Sequence, residues 1–141
     1  MLNKAKKSHQ TLLAGKIIRG DGRGQALGFP TANLAIDLCQ NLPPDGVYAG
    51  WARLENEAAW YRSAIHIGPR PVFPGATATC EVHLLDYTGG PLYNRRMEVY
   101  CRQYLRPVRA YPSVPELQQA IAEDVKNVRA LMADEYRPPA G

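Results

Sequence analysis

Hydrophobic positions in this chain fall into short extended runs separated by turn signals, and only the last run shows helical spacing. Leu12 to Arg19 reads as a first strand, interrupted by Gly15. Val47 to Leu54 and Ala59 to Ile67 read as two strands joined at Glu55-Asn56-Glu57. Thr77 to Tyr87 is the clearest long strand; extended backbone puts Cys80, Val82 and Leu84 on one face and Thr79, Glu81, His83 and Leu85 on the other. Thr88-Gly89-Gly90-Pro91 makes a turn, and Arg96 to Leu105 pairs back as another strand. Gly20 to Asn33 reads as a loop, and Asp37 to Asp45 as a connection rich in turn formers, with Asn41, Pro43 and Pro44. Leu117, Ile121, Val125 and Val128 then recur at spacings of four, four and three, the stripe of an amphipathic helix ending near Met132. Ser113 and Glu116 have capping-box spacing, and Pro115 sits in the first turn, where a missing amide is tolerated. The pattern gives a mostly β fold with a final helix; short strands with regular turn signals suggest a barrel or sandwich.

Composition narrows the class. At 141 residues, with 45% hydrophobic and 21% charged residues, the chain is expected to form one globular domain, spanning 11–133 between a basic tail at 1–10 and a second tail at 134–141. No apolar run approaches a membrane span, and the basic start has no apolar core behind it, so neither a membrane nor secretion is expected. Cys39, Cys80 and Cys101 have no metal-like spacing, and an odd count fits reduced thiols in a cytoplasm. The net charge is +4, but Lys4, Lys6 and Lys7 lie in the first ten residues, which leaves the rest at +1. So neutral a body is a poor electrostatic partner for nucleic acid.

The candidate chemistry concentrates between residues 20 and 34. Gly20, Gly22 and Gly24 put three glycines in five residues around Asp21 and Arg23, so the backbone can turn tightly and its amides can form an anion nest. Pro30 pushes Phe29 toward extended backbone. Thr31 and Asn33, two apart, then point the same way; a hydroxyl and an amide oxygen are hard donors of the kind Mg²⁺ accepts alongside phosphates. A magnesium-nucleotide site is the sharper reading; a surface turn with local capping is the plainer one.

The whole string decides between them. Gly20-Asp21-Gly22-Arg23-Gly24 followed by Leu27-Gly28-Phe29-Pro30-Thr31-Ala32-Asn33-Leu34 resembles the signature of the riboflavin kinase (flavokinase) family. Four further segments continue the likeness in order: Pro43 to Ala49, Ile67-Gly68 with Pro71 and Phe73, Cys80 to Asp86, and Leu92-Tyr93 with Leu105-Arg106 before the helix. It covers roughly residues 13–132. The resemblance implies a closed antiparallel Greek-key β-barrel of six strands with a C-terminal α-helix. It implies an ATP- and Mg²⁺-dependent kinase that phosphorylates the 5′-hydroxyl of riboflavin to give FMN, expected to work as a cytoplasmic monomer. It assigns the catalytic role to Glu81, phosphate and nucleotide binding to Gly20, Gly22, Arg23, Gly24, Gly28, Thr31 and Asn33, metal binding to Thr31 and Asn33, and flavin contacts to Arg106 and Tyr93.

A lone Glu in a strand more often faces solvent, but an unpaired carboxylate amid apolar neighbours is costly, and the matching context favours catalysis. His83, on the same face, reads as a surface or satisfied histidine, and His66 as a residue lining the site. Of the aromatic set Tyr93, Tyr100, Tyr104, Phe73 and Trp51, most are expected in the core. Val72, Asn94 and Val108 depart from the family pattern toward the flavin side; at Asn94 the family has Gly, and Asn tolerates the same left-handed backbone. The loops Arg70–Ala76 and Tyr104–Pro112 are expected to close over the flavin. The resemblance is to the kinase alone, with no nucleotidyl-transfer motif that would make FAD. A flavin-binding regulator of weak activity, or a kinase of a modified flavin, are the alternatives.

Overall fold

The computed structural model describes residues 8–18, 30–36, 42–68 and 78–132. Six antiparallel strands close into a barrel: β1 (Ser8–Ile18), β2 (Thr31–Ile36), β3 (Gly46–Leu54), β4 (Tyr61–Ile67), β5 (Ala78–Leu84) and β6 (Arg96–Arg106), in the order β1-β2-β5-β4-β3-β6 around the ring. β2 and β3 are not neighbours, nor are β5 and β6, so both connections cross an end of the barrel in Greek-key fashion. One helix, α1 (Val114–Leu131), follows.

Period-two alternation divides each strand between two environments. Ala32, Leu34 and Ile36 of β2, Ile65 and Ile67 of β4, Cys80, Val82 and Leu84 of β5, and Met97, Val99 and Cys101 of β6 fill the interior. Tyr48 joins them, fully buried, its hydroxyl donating to the Pro44 carbonyl at 2.6 Å and its ring edge-on to Tyr104 at 5.5 Å. The outer face of β3 and β4 carries Ala49, Trp51 and Ala64 instead, and there α1 lays down Ile121, Val125, Val128 and, just past its end, Met132. Ala49 and Ala64 are small enough to let the helix approach. Trp51, Tyr100 and Tyr104 are thus packing residues, as expected of most of that aromatic set.

The helix start follows the capping box: the Glu116 amide donates to Ser113 Oγ at 3.3 Å, and the Ser113 hydroxyl reaches Glu116 Oε1 at 3.0 Å. Asn56 and Asn94 take left-handed φ values of 69° and 63°, so Asn94 does tolerate the backbone that glycine would adopt. Four expectations about the elements change. Thr31–Ile36, of which Thr31–Asn33 was read as the end of a loop, is a full strand. β5 stops at Leu84, short of Tyr87, because Asp86 takes a φ of 63° and Leu85 turns under the helix. β1 starts at Ser8, within the stretch read as a tail, and runs without a break through Gly15, since a Cβ there would lie 2.5 Å from the Ala35 carbonyl oxygen. Tyr104–Arg106 likewise belong to β6 rather than to a loop.

Among the described glycines, the tightest backbone approach is at Gly50 of β3, where a Cβ would sit 2.1 Å from the Tyr100 carbonyl oxygen and 2.7 Å from Ile65 Cδ1. Gly50→Ala must therefore push β3 from β6 at a bulge in their pairing. It should cost roughly 2–3 kcal/mol of stability in urea denaturation; a loss within 0.5 kcal/mol would show that the pair separates freely.

Candidate active site

The strand registers assemble the site. β2 pairs with β5 so that Asn33 faces Glu81 and Thr31 faces His83. β5 pairs with β4 so that Glu81 faces His66, β4 with β3 so that His66 faces Val47, and β3 with β6 so that Val47 faces Arg106. Asn33, Glu81, His66, Val47 and Arg106 therefore form one row across the outer wall, with Thr31 and His83 in the row beside it. Glu81 and Asn33 point outward because their neighbours Cys80, Val82, Ala32 and Leu34 point in.

His83 is 5% exposed, and its Nδ1 lies 3.0 Å from Thr31 Oγ1. Its Nε2 lies 3.5 Å from Glu81 Oε1. It is thus a satisfied histidine rather than a surface one. Glu81 keeps 28% of its side chain exposed. Burial holds the His66 imidazole below the usual histidine range; Arg106 and His83 push it the same way, against the attraction of Glu81. All buried side-chain nitrogen and oxygen atoms among the described residues have a hydrogen-bond partner.

Arg106 ends the row in a bidentate pair with Asp124 of α1, Nε to Oδ1 at 2.8 Å and Nη2 to Oδ2 at 2.7 Å. The carboxylate raises the guanidinium above its usual range. Asp124 was not singled out in the sequence, although a charged residue inside the apolar stripe of the helix was the signal.

Of the residues expected to act together, Thr31, Asn33 and Glu81 come together, and His66 borders them. Arg106 and Tyr93 do not meet: Tyr93 precedes the start of β6, and Arg106 closes the other end of that eleven-residue strand. Tyr93, 39% exposed, lies beside the end of β1, where the Asn94 amide donates to the Ile17 carbonyl. Gly20, Gly22, Arg23, Gly24 and Gly28 lie outside the described residues, as do Arg70–Ala76 with Val72 and Phe73. Thr31 and Asn33 offer two neutral oxygen donors, and no cluster of three or more His, Cys, Asp or Glu side chains able to hold a metal is found among the described residues. That donor set fits a hard cation that arrives on phosphates and keeps its waters, rather than one held in an all-protein cage.

Comparison with known proteins agrees with this architecture. The riboflavin kinase family model, Flavokinase, matches residues 7–132. Human riboflavin kinase is 31% identical over 119 residues, 82% of this chain and 76% of the relative. The bifunctional riboflavin kinase/FMN adenylyltransferase of Pseudomonas fluorescens is 36% identical over 122 residues, 86% of this chain but 38% of that longer protein. The crystal structure of riboflavin kinase from Trypanosoma brucei superposes with a TM-score of 0.65 at 26% identity, over 89% of this chain and 82% of that one. A closed six-stranded Greek-key barrel with one C-terminal helix is a flavokinase-type domain. The chain belongs to the riboflavin kinase family. Among the described residues, no helix is long and apolar enough to cross a membrane.

The Arg106–Asp124 pair yields a stability prediction. Asp124 is 5% exposed in its side chain and Arg106 23%. Arg106→Ala strands a buried carboxylate, and with partial solvent access allowed for, it should cost about 2–3 kcal/mol. Arg106→Ala with Asp124→Leu should recover most of that loss in the same denaturation experiment. A single variant as stable as the parent would mean that the pair does not fasten the helix.

Proposed function

We propose that the chain transfers the γ-phosphoryl of ATP to the 5′-hydroxyl of riboflavin, giving FMN and ADP. The observation that carries this is the register that sets Glu81 opposite Asn33 on the outer wall, in a chain of the riboflavin kinase family. The acceptor hydroxyl oxygen forms a bond to the γ-phosphorus as the bond from that phosphorus to the bridging oxygen of ADP breaks. The hydroxyl proton passes to the Glu81 carboxylate, whose partial exposure leaves it accessible to an acceptor. Magnesium bound with the nucleotide would neutralise charge on the transferred group and on the leaving oxygens. Thr31 and Asn33 share the outer face with Glu81 and are assigned to the metal, and the glycine-rich segment Gly20–Gly24 with Arg23 and Gly28 is assigned to the phosphates. Arg106, at the far end of the row, is kept for the flavin side. Tyr93, the other residue proposed for the flavin, stands beyond the opposite end of β6 from Arg106.

Incubation with riboflavin and Mg-ATP, followed by chromatography, should yield FMN; no FMN above the enzyme-free control would end this reading. Glu81→Gln should lower kcat by roughly 10²–10⁴-fold with nucleotide affinity nearly intact; retention of most of kcat would remove Glu81 from the chemistry.

Thr31→Ala and Asn33→Ala should each weaken Mg-ADP binding measured by titration calorimetry, with little change for ADP in EDTA. Parental Mg-ADP affinity in both variants would contradict the metal assignment.

A further inference from the structure

Resting on the reading just proposed, we infer that His83 is a positioning residue that ties the metal-side hydroxyl of Thr31 to the carboxylate of Glu81. One buried ring touches both: Nδ1 at 3.0 Å from Thr31 Oγ1, Nε2 at 3.5 Å from Glu81 Oε1. The two contacts are built by different parts of the fold. Thr31 meets His83 across the β2–β5 pairing, 52 residues apart in sequence, whereas Glu81 lies two residues away on the same face of β5.

The chemistry at each end fixes how the ring must be used. At 3.5 Å the contact with Glu81 is electrostatic rather than a tight hydrogen bond. An N–H dipole turned toward an ionised carboxylate is favourable, and a lone pair turned toward it is repulsive. The proton therefore belongs on Nε2. A ring protonated there has its lone pair on Nδ1, and Nδ1 accepts the hydroxyl proton of Thr31. This matters for Thr31, because a hydroxyl can ligate a cation only through a lone pair. With its proton drawn inward to His83, the Thr31 oxygen presents its lone pairs away from the wall. The same ring engages Oε1 of Glu81 and so fixes the direction in which that carboxylate faces the acceptor hydroxyl. A single side chain thus sets the orientation of two groups with different tasks, one toward the nucleotide and one toward the acceptor. His83 itself need touch neither substrate.

Two amide substitutions separate these tasks, since an Asn amide reaches the position of Nδ1 and a Gln amide that of Nε2. His83→Asn keeps a partner for Thr31 and loses the one for Glu81. It should preserve Mg-ADP affinity by calorimetry and lower kcat by roughly 10–100-fold, the range for loss of an orienting partner. His83→Gln does the reverse: kcat close to the parent, with Mg-ADP affinity and KM for ATP weakened. If both variants shift the same parameter equally, or neither shifts any, the relay is wrong and His83 merely fills space. A third measurement needs neither variant nor substrate: nitrogen-15 spectra of the ligand-free parent should show His83 protonated on Nε2 with an unprotonated Nδ1. A ring protonated on Nδ1 alone overturns the inference. Should the parent form no FMN, the function falls, but the calorimetric difference and the tautomer still decide the role of His83.

Discussion

The register between β2 and β5 is the constraint on which the site depends. Slipping it by one residue would turn Thr31 and Asn33 into the barrel and bring Ala32, Leu34 and Ile36 out to solvent. What prevents the slip is not the polar contacts themselves. A hydrogen bond such as that between Thr31 and His83 contributes about 1 kcal/mol net. Leu34, Ile36, Val82 and Leu84, all essentially inaccessible, contribute roughly 1.5–3 kcal/mol each by burial. The hydrocarbon on the inside of the wall therefore holds the polar groups on its outside in place. This is why a carboxylate and an amide can stand side by side on the outer face of the wall.

The outer wall is divided between two uses, and side-chain size draws the line. In the row that contains Thr31 and His83, the next two positions are Ala64 and Ala49, and these give α1 a shallow bed. In the adjacent row, Asn33, Glu81, His66 and Arg106 are too polar for a helix to cover without losing hydration. Arg106 joins the two regions. Its guanidinium closes the polar row, yet its carboxylate partner is a buried residue of the helix. The position of the helix and the electrostatics at that end of the row are thus coupled through one ion pair, and the guanidinium is felt as far as His66.

Much of this was legible in the chain, because alternation and capping are local. The strands around Glu55–Glu57, the face of Glu81 and the cap at Ser113 each follow from residues within a few positions of one another. β2 was missed although Thr31-Ala32-Asn33-Leu34-Ala35-Ile36 alternates cleanly. It is only six residues long and starts behind a proline and glycines, which read as turn. The role of His83 was hidden for a different reason. Its meaning depends on a partner 52 residues earlier, and no local pattern reports a pairing at that distance. Arg106 was visible as a polar residue near the end of a strand, but its commitment to Asp124 required the packing of the helix. Tyr93 and Arg106 were grouped because both matched the family; strand length separates them.

The exposure of the groups around Glu81 follows a gradient that chemistry would require of a base. His83 and Thr31 are nearly inaccessible, so their contact is screened little by water and holds one geometry. Glu81, next outward, is about a quarter exposed, which lowers the cost of keeping it ionised while leaving it fixed on one side by His83. A carboxylate buried as deeply as His83 would be driven toward its protonated form and could accept no proton. One exposed as fully as a surface glutamate would wander among rotamers. The strand supplies the intermediate case by placing an inward-facing residue, Cys80 or Val82, on each side of Glu81 and a buried ring two residues on. The position of a single residue in the alternation thus sets both the exposure and the aim of the proposed base.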